Sequence, residues 1–397
     1  MLDQLPLLPP DPILGLAAAA RADTNPDKVD LTVGIYMDEA GVCPVFEAVQ
    51  LAQRSLVDEE ITKAYMPAAG DAAFNTGVQQ LVFGADSPAL LAGRISSIQA
   101  PGGCGALRIG AEVIHAAAPG ARVWVSDPTW PVHMPLLGSV GLTFQSYRYY
   151  QSATHGVDFD GMVADLKQAG AGDIVLLHGC CHNPCGADLS LEQWGVIADM
   201  AQAQGFLPFI DIAYQGLGDG LEQDAAGLRL LAARLPELIV AASCSKNMGL
   251  YRERTGATVF LCRDSQSAEA LVSQAMVAAR RVYSMPPAHG AILAGRILAS
   301  EELRASWQAE LGGMCQRING LRSQLRARLE AAAERDFGFI EREKGMFSFL
   351  GLSKEQAQTL RREHSVYMLD SSRINVAGVN ARNIDTLARA VGQVVKG

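Results

Sequence analysis

Leu207-Pro208-Phe209-Ile210-Asp211-Ile212-Ala213-Tyr214 is an apolar run broken by one carboxylate and closed by one phenol. A run that is apolar at both odd and even positions is a strand buried on both faces, as in parallel sheets covered by helices. The pattern recurs on either side. Val123–Ser126, Ile174–His178, Leu238–Ser243 and Thr258–Cys262 are runs of the same kind, and Ile95–Gln99 precedes them. Between them, Leu191–Gln204 and Ala225–Arg234 have helical spacing and helical length. Strand and helix in alternation predict an α/β chain whose main sheet is mostly parallel and lies between helices.

Sheets of this class bind ligands outside the carboxyl ends of their strands. The polar residues just after each run are Asp127 and Trp130, then Asn183, then Asp211 and Tyr214, then Ser243, Ser245 and Lys246. These are expected to converge. Beyond about residue 300 the pattern turns helical, with Leu303 to Glu334 as one or two long amphipathic stretches. Gly345 to Val391 mixes short strands and helices and suggests a second, smaller α/β unit, while the first 11 residues suggest an extended, proline-rich arm.

A chain of 397 residues has room for two domains, and 49% hydrophobic with 19% charged residues is a globular balance. A net charge of −9 argues against nucleic acid or an anionic membrane as partner. Anionic substrates would then depend on a few isolated arginines. Met1 to Ala20 carries Asp3, Asp11 and four prolines with no basic residue, unlike a secretory signal. No apolar run approaches the ~20 residues that span a bilayer. Eight scattered cysteines fit reduced thiols and a cytoplasmic location better than a disulfide framework. Cys180, Cys181, His182 and Cys185 lack a second ligand pair at usable spacing, so no metal centre is expected.

Lys246, in Ser243-Cys244-Ser245-Lys246-Asn247, directly follows a buried strand. A lysine at a strand end is ordinarily a surface residue, but this one has company. Asp211 is flanked by apolar residues, and a buried acid needs a cationic partner. A protonated pyridine nitrogen would serve. Pyridoxal phosphate asks for four kinds of protein group. A lysine holds it as a Schiff base and shuttles a proton; here that is Lys246. An acid pairs with the ring nitrogen, here Asp211. Donors face the phenolic oxygen, here Asn183 and Tyr214. A phosphate cup combines a helix N-terminus, hydroxyls and an arginine. Gly102-Gly103-Cys104-Gly105 opening a helix over Ala106–Ala117 would form it, joined by Ser243, Ser245 and Arg254. By itself that glycine stretch is an ordinary turn, since it completes neither a dinucleotide fingerprint nor a Walker A loop.

Longer segments carry a resemblance. They include Asp11-Pro12-Ile13-Leu14-Gly15-Leu16, Pro101-Gly102-Gly103, Val123-Trp124-Val125-Ser126-Asp127-Pro128-Thr129-Trp130 and His178-Gly179-Cys180-Cys181-His182-Asn183-Pro184. Further on come Asp211-Ile212-Ala213-Tyr214-Gln215-Gly216, Ser245-Lys246-Asn247, Pro286-Pro287-Ala288-His289-Gly290 and Gly345-Met346-Phe347-Ser348. In this order, and nearly end to end, the chain resembles the fold-type I, class I aminotransferases of the aspartate and aromatic amino-acid branch. The resemblance implies a seven-stranded, mainly parallel sheet in a large domain over 44–313. It also implies a small α/β domain built from 12–43 and 314–397, and an arm over 1–11.

The same resemblance assigns roles. Arg373 would clamp the substrate α-carboxylate, and Trp130 would stack on the pyridine ring. Gly34 and Asn183 would also touch substrate, and Tyr214 would join Lys246 and Asp211 in catalysis. His133 would stand behind Asp211. Tyr65 would reach a neighbouring subunit's cofactor phosphate and Arg280 a substrate's distal carboxylate across a homodimer. Tyr65-Met66-Pro67 and Phe83-Gly84-Ala85-Asp86 look closer to the aromatic branch. The expected reaction is ping-pong amino transfer from tyrosine, phenylalanine or aspartate to 2-oxoglutarate. A strict aspartate enzyme, or a lyase or decarboxylase using the same Lys246 and Asp211, is the alternative. A pyridoxal-binding transcription regulator would need a DNA-binding segment for which there is no room before Asp11.

Four positions depart from the family pattern. Cys104 stands where the cup usually has Thr or Ser, and a thiol is the poorer donor. Cys185 replaces a Thr, Met285 an Asn or Ser, and Ser372 a Gly just before Arg373.

Overall fold

The apolar runs assemble into one seven-stranded sheet in a computed structural model of the chain, which describes residues 1–8 and 11–397. In chain order the strands are β1 (Ile95–Pro101), β2 (Arg122–Asp127), β3 (Thr143–Arg148), β4 (Ile174–His178), β5 (Leu207–Ile212), β6 (Leu238–Ser243) and β7 (Thr255–Leu261). They lie side by side in the order β1-β7-β6-β5-β4-β2-β3. β7 runs antiparallel to both its neighbours, and every other pairing is parallel.

Successive residues of each strand enter opposite cores, as the period of two requires. Phe209, Ile239 and Ala241 pack with the helices Gly102–Ala117 and Ser265–Val282 on one face. Ile210, Ile212, Val240 and Ala242 pack with Leu191–Gln204 and Ala226–Arg234 on the other. Each such side chain contributes about 1.5–3 kcal/mol on burial, which is why runs without alternation become central strands. The helix Leu191–Gln204 keeps its expected bounds because Ser190 and Gln193 form a reciprocal capping box.

One edge strand was not foreseen: β3 carries no apolar run, with Tyr147 its one buried side chain. The helix after β1 begins at Gly102, earlier than the expected Ala106, with Gly102 itself at φ +69. Glu301–Ala333 is a single helix of 33 residues, one of the two forms expected.

A third core joins Val29 and Leu31 to Leu321, Leu325, Phe337, Val366, Ile374 and Val391. Two small sheets accompany it. Val29–Asp30 pairs with Val366–Tyr367, and Phe347–Phe349 pairs antiparallel with Arg373–Asn375. The N-terminal arm contains a short 3₁₀ turn at Leu2–Gln4, while Pro9 and Pro10 lie outside the described residues. Asp11 then caps the helix Pro12–Ala22 by accepting from the N–H groups of Ile13 and Leu14. No described helix is long and apolar enough to cross a membrane.

Candidate active site

A cleft of about 250 Å³ opens beyond the carboxyl ends of β4, β5 and β6. The strand ends and following loops supply Asn183, Asp211, Tyr214, Ser243, Ser245 and Lys246. Gly103 and Cys104 enter from the helix N-terminus, and Trp130, Gly34, Arg254 and Arg373 complete the wall. The convergence expected from strand ends is therefore met, save for Asp127, which is not among the lining residues.

Asp211 is buried, and its Oδ2 lies 3.1 Å from His133 Nε2. Burial works to raise its carboxyl, but the hydrogen bond from His133 and nearby positive charge hold it below the usual carboxylate range. The chain of contacts continues inward. Thr129 Oγ1 lies 2.8 Å from His133 Nδ1 and 3.3 Å from His178 Nε2. Burial pushes His178 down to about 3, so it is neutral at physiological pH. With the proton of neutral His178 on Nε2, that nitrogen donates to Thr129, the Thr129 hydroxyl donates to His133 and His133 donates to Asp211, so in this tautomer set every donor points toward the carboxylate.

Lys246 projects 4.8 Å above the ring of Tyr214. Burial lowers its amine from the ordinary lysine range, against the pull of Asp211. Burial also pushes the Tyr214 phenol up, so it stays protonated and able to donate. The following Asn247 is pinned through its carbonyl, which accepts from Trp307 Nε1 at 2.6 Å.

The anion-binding corner sits where the helix Gly102–Ala117 begins. Gly102 lies behind the lining with φ +69, and a Cβ there would stand 2.4 Å from Arg254 Nη2. Glycine thus lets the guanidinium lie against the helix start. Arg254 donates to the Tyr251 carbonyl at 2.7 Å and has no carboxylate partner among the described residues. Ser243 Oγ and Ser245 Oγ are 3.1 Å apart beside it. A helix N-terminus, two hydroxyls and an unpaired guanidinium form a site for a dianion. Burial pushes the Cys104 thiol up, so it enters this corner as a neutral, weak donor.

Arg373 occupies the opposite wall. Its guanidinium stacks over Phe347 at 4.4 Å, donates to the Thr32 carbonyl at 2.8 Å and reaches Asn183 Oδ1 at 3.4 Å. Its Nε is buried without a hydrogen-bond partner, and burial lowers the group to about 10. It remains a cation facing the cleft with no carboxylate, which suits a carboxylate ligand. With Asp211 for a ring nitrogen, Lys246 for an aldehyde and the corner for a phosphate, these residues fit pyridoxal phosphate.

Two expected residues stay outside. Tyr65 is 92% exposed, and Arg280 is exposed on the helix Ser265–Val282, bonded to Ser284. Neither lines the cleft of its own chain. Ile13, Leu107, Ala213, Tyr251 and Phe347 do line it without having been assigned a role. Phe347 lay inside a quoted motif, whereas Tyr251 sits in a loop whose sequence carries no periodic signal. The cysteine-rich turn divides in two. His182 Nδ1 is 3.1 Å from Cys185 Sγ, while ligand atoms of Cys180, Cys181 and Asp224 lie within 4.8 Å of one another. The Asp224 oxygens already accept from the backbone of Gly216, Gly218 and Asp219.

A family model described as aminotransferase class I and II matches residues 26–391. The aromatic-amino-acid aminotransferase of Paracoccus denitrificans is 46% identical over 395 residues, covering 99% of this chain and 100% of that protein. The aspartate aminotransferase of Escherichia coli (strain K12) is also 46% identical, over 396 residues and 100% of both chains. A crystal structure of the aromatic-amino-acid aminotransferase from Burkholderia pseudomallei, covalently bound to pyridoxal phosphate, is 44% identical with a TM-score of 0.97. It covers 100% of this chain and 99% of that one.

Proposed function

The chain belongs to the class I and II aminotransferases, and on that premise we propose that it moves an amino group from an aromatic amino acid or aspartate to 2-oxoglutarate, using pyridoxal 5′-phosphate. The carrying observation is that Lys246, Asp211, the Arg254 corner and Arg373 line one cleft. The cofactor, when bound, supplies an aldehyde for the substrate nitrogen and a ring that accepts electrons from Cα.

The protein's own groups do the rest. Arg373 orients the substrate through its α-carboxylate, a two-pronged contact that also sets which Cα bond faces Lys246. Lys246 Nζ, its basicity lowered by burial, takes the proton from Cα and returns it on the cofactor side. Asp211, kept ionised by His133, would hold the ring-nitrogen proton in place. Asn183 and Tyr214 would donate to the phenolic oxygen, and Trp130 would cover the ring. Gly102, Gly103, Cys104, Ser243, Ser245 and Arg254 would hold the phosphate, and Gly34 would contact the substrate. The two substrates take turns at one site, which is the ping-pong order.

A homodimer follows from the same reading, with Tyr65 and Arg280 serving the partner's cleft. Leu5, Leu7, Leu8, Ile61 and Tyr65 are each more than 70% exposed, an apolar surface that a second copy would cover. We take 12–43 with 314–397 as the small domain, 44–313 as the large one, and 1–11 as the arm. Eight unpaired thiols support a cytoplasmic setting.

The test is the visible spectrum of the holoenzyme before and after phenylalanine and aspartate, each added alone. Loss of the long-wavelength cofactor band with either donor supports amino transfer, and the comparison ranks the donors. A band unchanged by both would sink the proposal.

A further inference from the structure

A second groove, of about 510 Å³, lies between the turn Tyr150–Val157 and the C-terminal unit, away from the catalytic cleft. The side chains around it include several donors and no carboxylate. Arg335 gives Nη2 to the carbonyl of Gly351 at 3.1 Å, and its guanidinium stands 5.2 Å over Phe337. It forms no ion pair among the described residues. By contrast Arg317, Arg322, Arg326 and Arg328, on the helix leading to it, each hold a carboxylate.

His155 faces Arg335 across Gly351. Its ring stacks on Phe339 at 3.7 Å and 8°, and its Nδ1 is 3.0 Å from the Tyr150 hydroxyl. With Tyr150 donating to Nδ1, the proton sits on Nε2, which has no other partner among the described residues. Burial, then Arg335 and Arg342, hold His155 below the ordinary histidine range, so the neutral tautomer is the one present near neutral pH.

Gly351 shows how tightly the two groups converge. It has φ +66, and a Cβ on it would stand 2.8 Å from Arg335 Nη2 and 3.1 Å from His155 Nε2. The hydroxyls of Ser152, Ser371 and Ser372 also line the groove and make no hydrogen bond among the described residues. No carboxylate lines it. Of the acids near its lining, Asp336 accepts from the Gly338 N–H at 2.7 Å, Glu355 from the Ser353 hydroxyl at 2.9 Å and Glu343 from the Ser348 hydroxyl.

We propose that this groove binds a phosphate group, free or as a monoester, held by Arg335, His155 Nε2 and the serine hydroxyls. Guanidinium, imidazole N–H and hydroxyls approaching from several sides suit a tetrahedral oxyanion better than a planar carboxylate. One lining residue of the groove is joined by the backbone to a residue of the catalytic cleft. Ser372, with φ +63, directly precedes Arg373, and its carbonyl accepts from the Leu350 N–H at 3.0 Å.

The experiment titrates inorganic phosphate, and separately phenyl phosphate, into holoenzyme whose cofactor corner is already filled. Calorimetry is run at constant ionic strength with chloride as control. We expect one saturable site per chain, weakened at least fivefold in Arg335→Gln and in His155→Gln, with the cofactor spectrum unchanged in both. Equal affinity for the two probes identifies free phosphate, and tighter phenyl phosphate identifies a monoester. Ser371→Ala, a milder change at the rim, guards against misfolding and should weaken binding by a smaller factor. No binding beyond the chloride control, or equal binding by wild type and all three folded variants, overturns the proposal. Because binding rather than turnover is read, such a failure leaves the amino-transfer reading untouched.

Discussion

Arg322 donates to the carbonyl of Phe347 at 2.7 Å, from behind the residue whose ring supports Arg373. The same guanidinium holds the carbonyls of Ile340 and Gly345 at 2.8 Å and 2.7 Å. A fully buried cation thus fixes the strand that backs the substrate arginine. Arg322→Met leaves three buried carbonyls without their donor and, at about 1–3 kcal/mol for each buried group left unsatisfied, should cost at least about 3 kcal/mol of stability. Chemical denaturation measures that loss, and the KM for amino donors should rise more than kcat falls. Wild-type stability in this variant would contradict the assignment.

Glu343 answers the same cluster with a pH signature. Arg322 stands 3.6 Å away, yet burial dominates because Glu343 Oε1 finds no hydrogen-bond partner. Its carboxyl is pushed up to about 8 from an ordinary 4.5. An acid raised on folding favours the native state below its unfolded value, and that contribution is lost as pH climbs through the folded one. Glu343→Gln should therefore flatten the fall in Tm between about 4.5 and about 8. An unchanged slope across that window would count against a protonated Glu343.

His133 tunes Asp211 through the 3.1 Å contact. That hydrogen bond is among the causes that hold the Asp211 carboxyl below its ordinary range. Removing it in His133→Ala should raise the Asp211 carboxyl, moving the acid limb of the kcat/KM profile to higher pH. A profile that keeps its acid limb while losing rate would make His133 a packing residue only.

Lys246→Ala should lower turnover by at least about 10²–10⁴-fold, the usual share of a positioned proton-transfer group. Far-ultraviolet circular dichroism should match wild type, since Lys246 makes no hydrogen bond that the fold depends on. Normal turnover in a folded Lys246→Ala protein would remove the mechanism's central residue.

Cys104→Thr exchanges a weak thiol donor for a hydroxyl in the phosphate corner. One neutral hydrogen bond is worth about 0.5–1.5 kcal/mol, so the cofactor should dissociate roughly 2–10-fold less readily. Absorbance titration of apoenzyme reads this directly. Weaker or equal retention would show that the thiol is not a limiting contact.

Much of the architecture was legible along the chain because its cause is local. Phe209 and Ile210 are neighbours that enter opposite cores, so a strand buried on both faces has to be apolar without alternation. β3 escaped notice for the converse reason: an edge strand with one buried side chain keeps the composition of a loop. The start of the phosphate-facing helix was missed because glycine is a poor helix former, and Gly102 enters the helix at φ +69, a conformation that glycine adopts without strain, with Arg254 lying against it.

Lys246, Asp211, Asn183 and Tyr214 were named from the sequence, since a charged or polar group at or just beyond a buried strand is anomalous wherever it occurs, whereas Arg373 was named only through the family resemblance. What the sequence by itself determined is a parallel sheet with reactive groups at its carboxyl ends. The tertiary structure alone decided the rest. Thr129 and His178 join Asp211 only across separate strands, Phe347 comes under Arg373 only by pairing of distant segments, and His155 meets Arg335 only at Gly351. It likewise left Tyr65 and Arg280 outside their own cleft. The division has a physical basis. Burial pattern is set by near neighbours along a strand, whereas hydrogen-bond partners and ion pairs depend on which distant elements packing brings within about 3 Å.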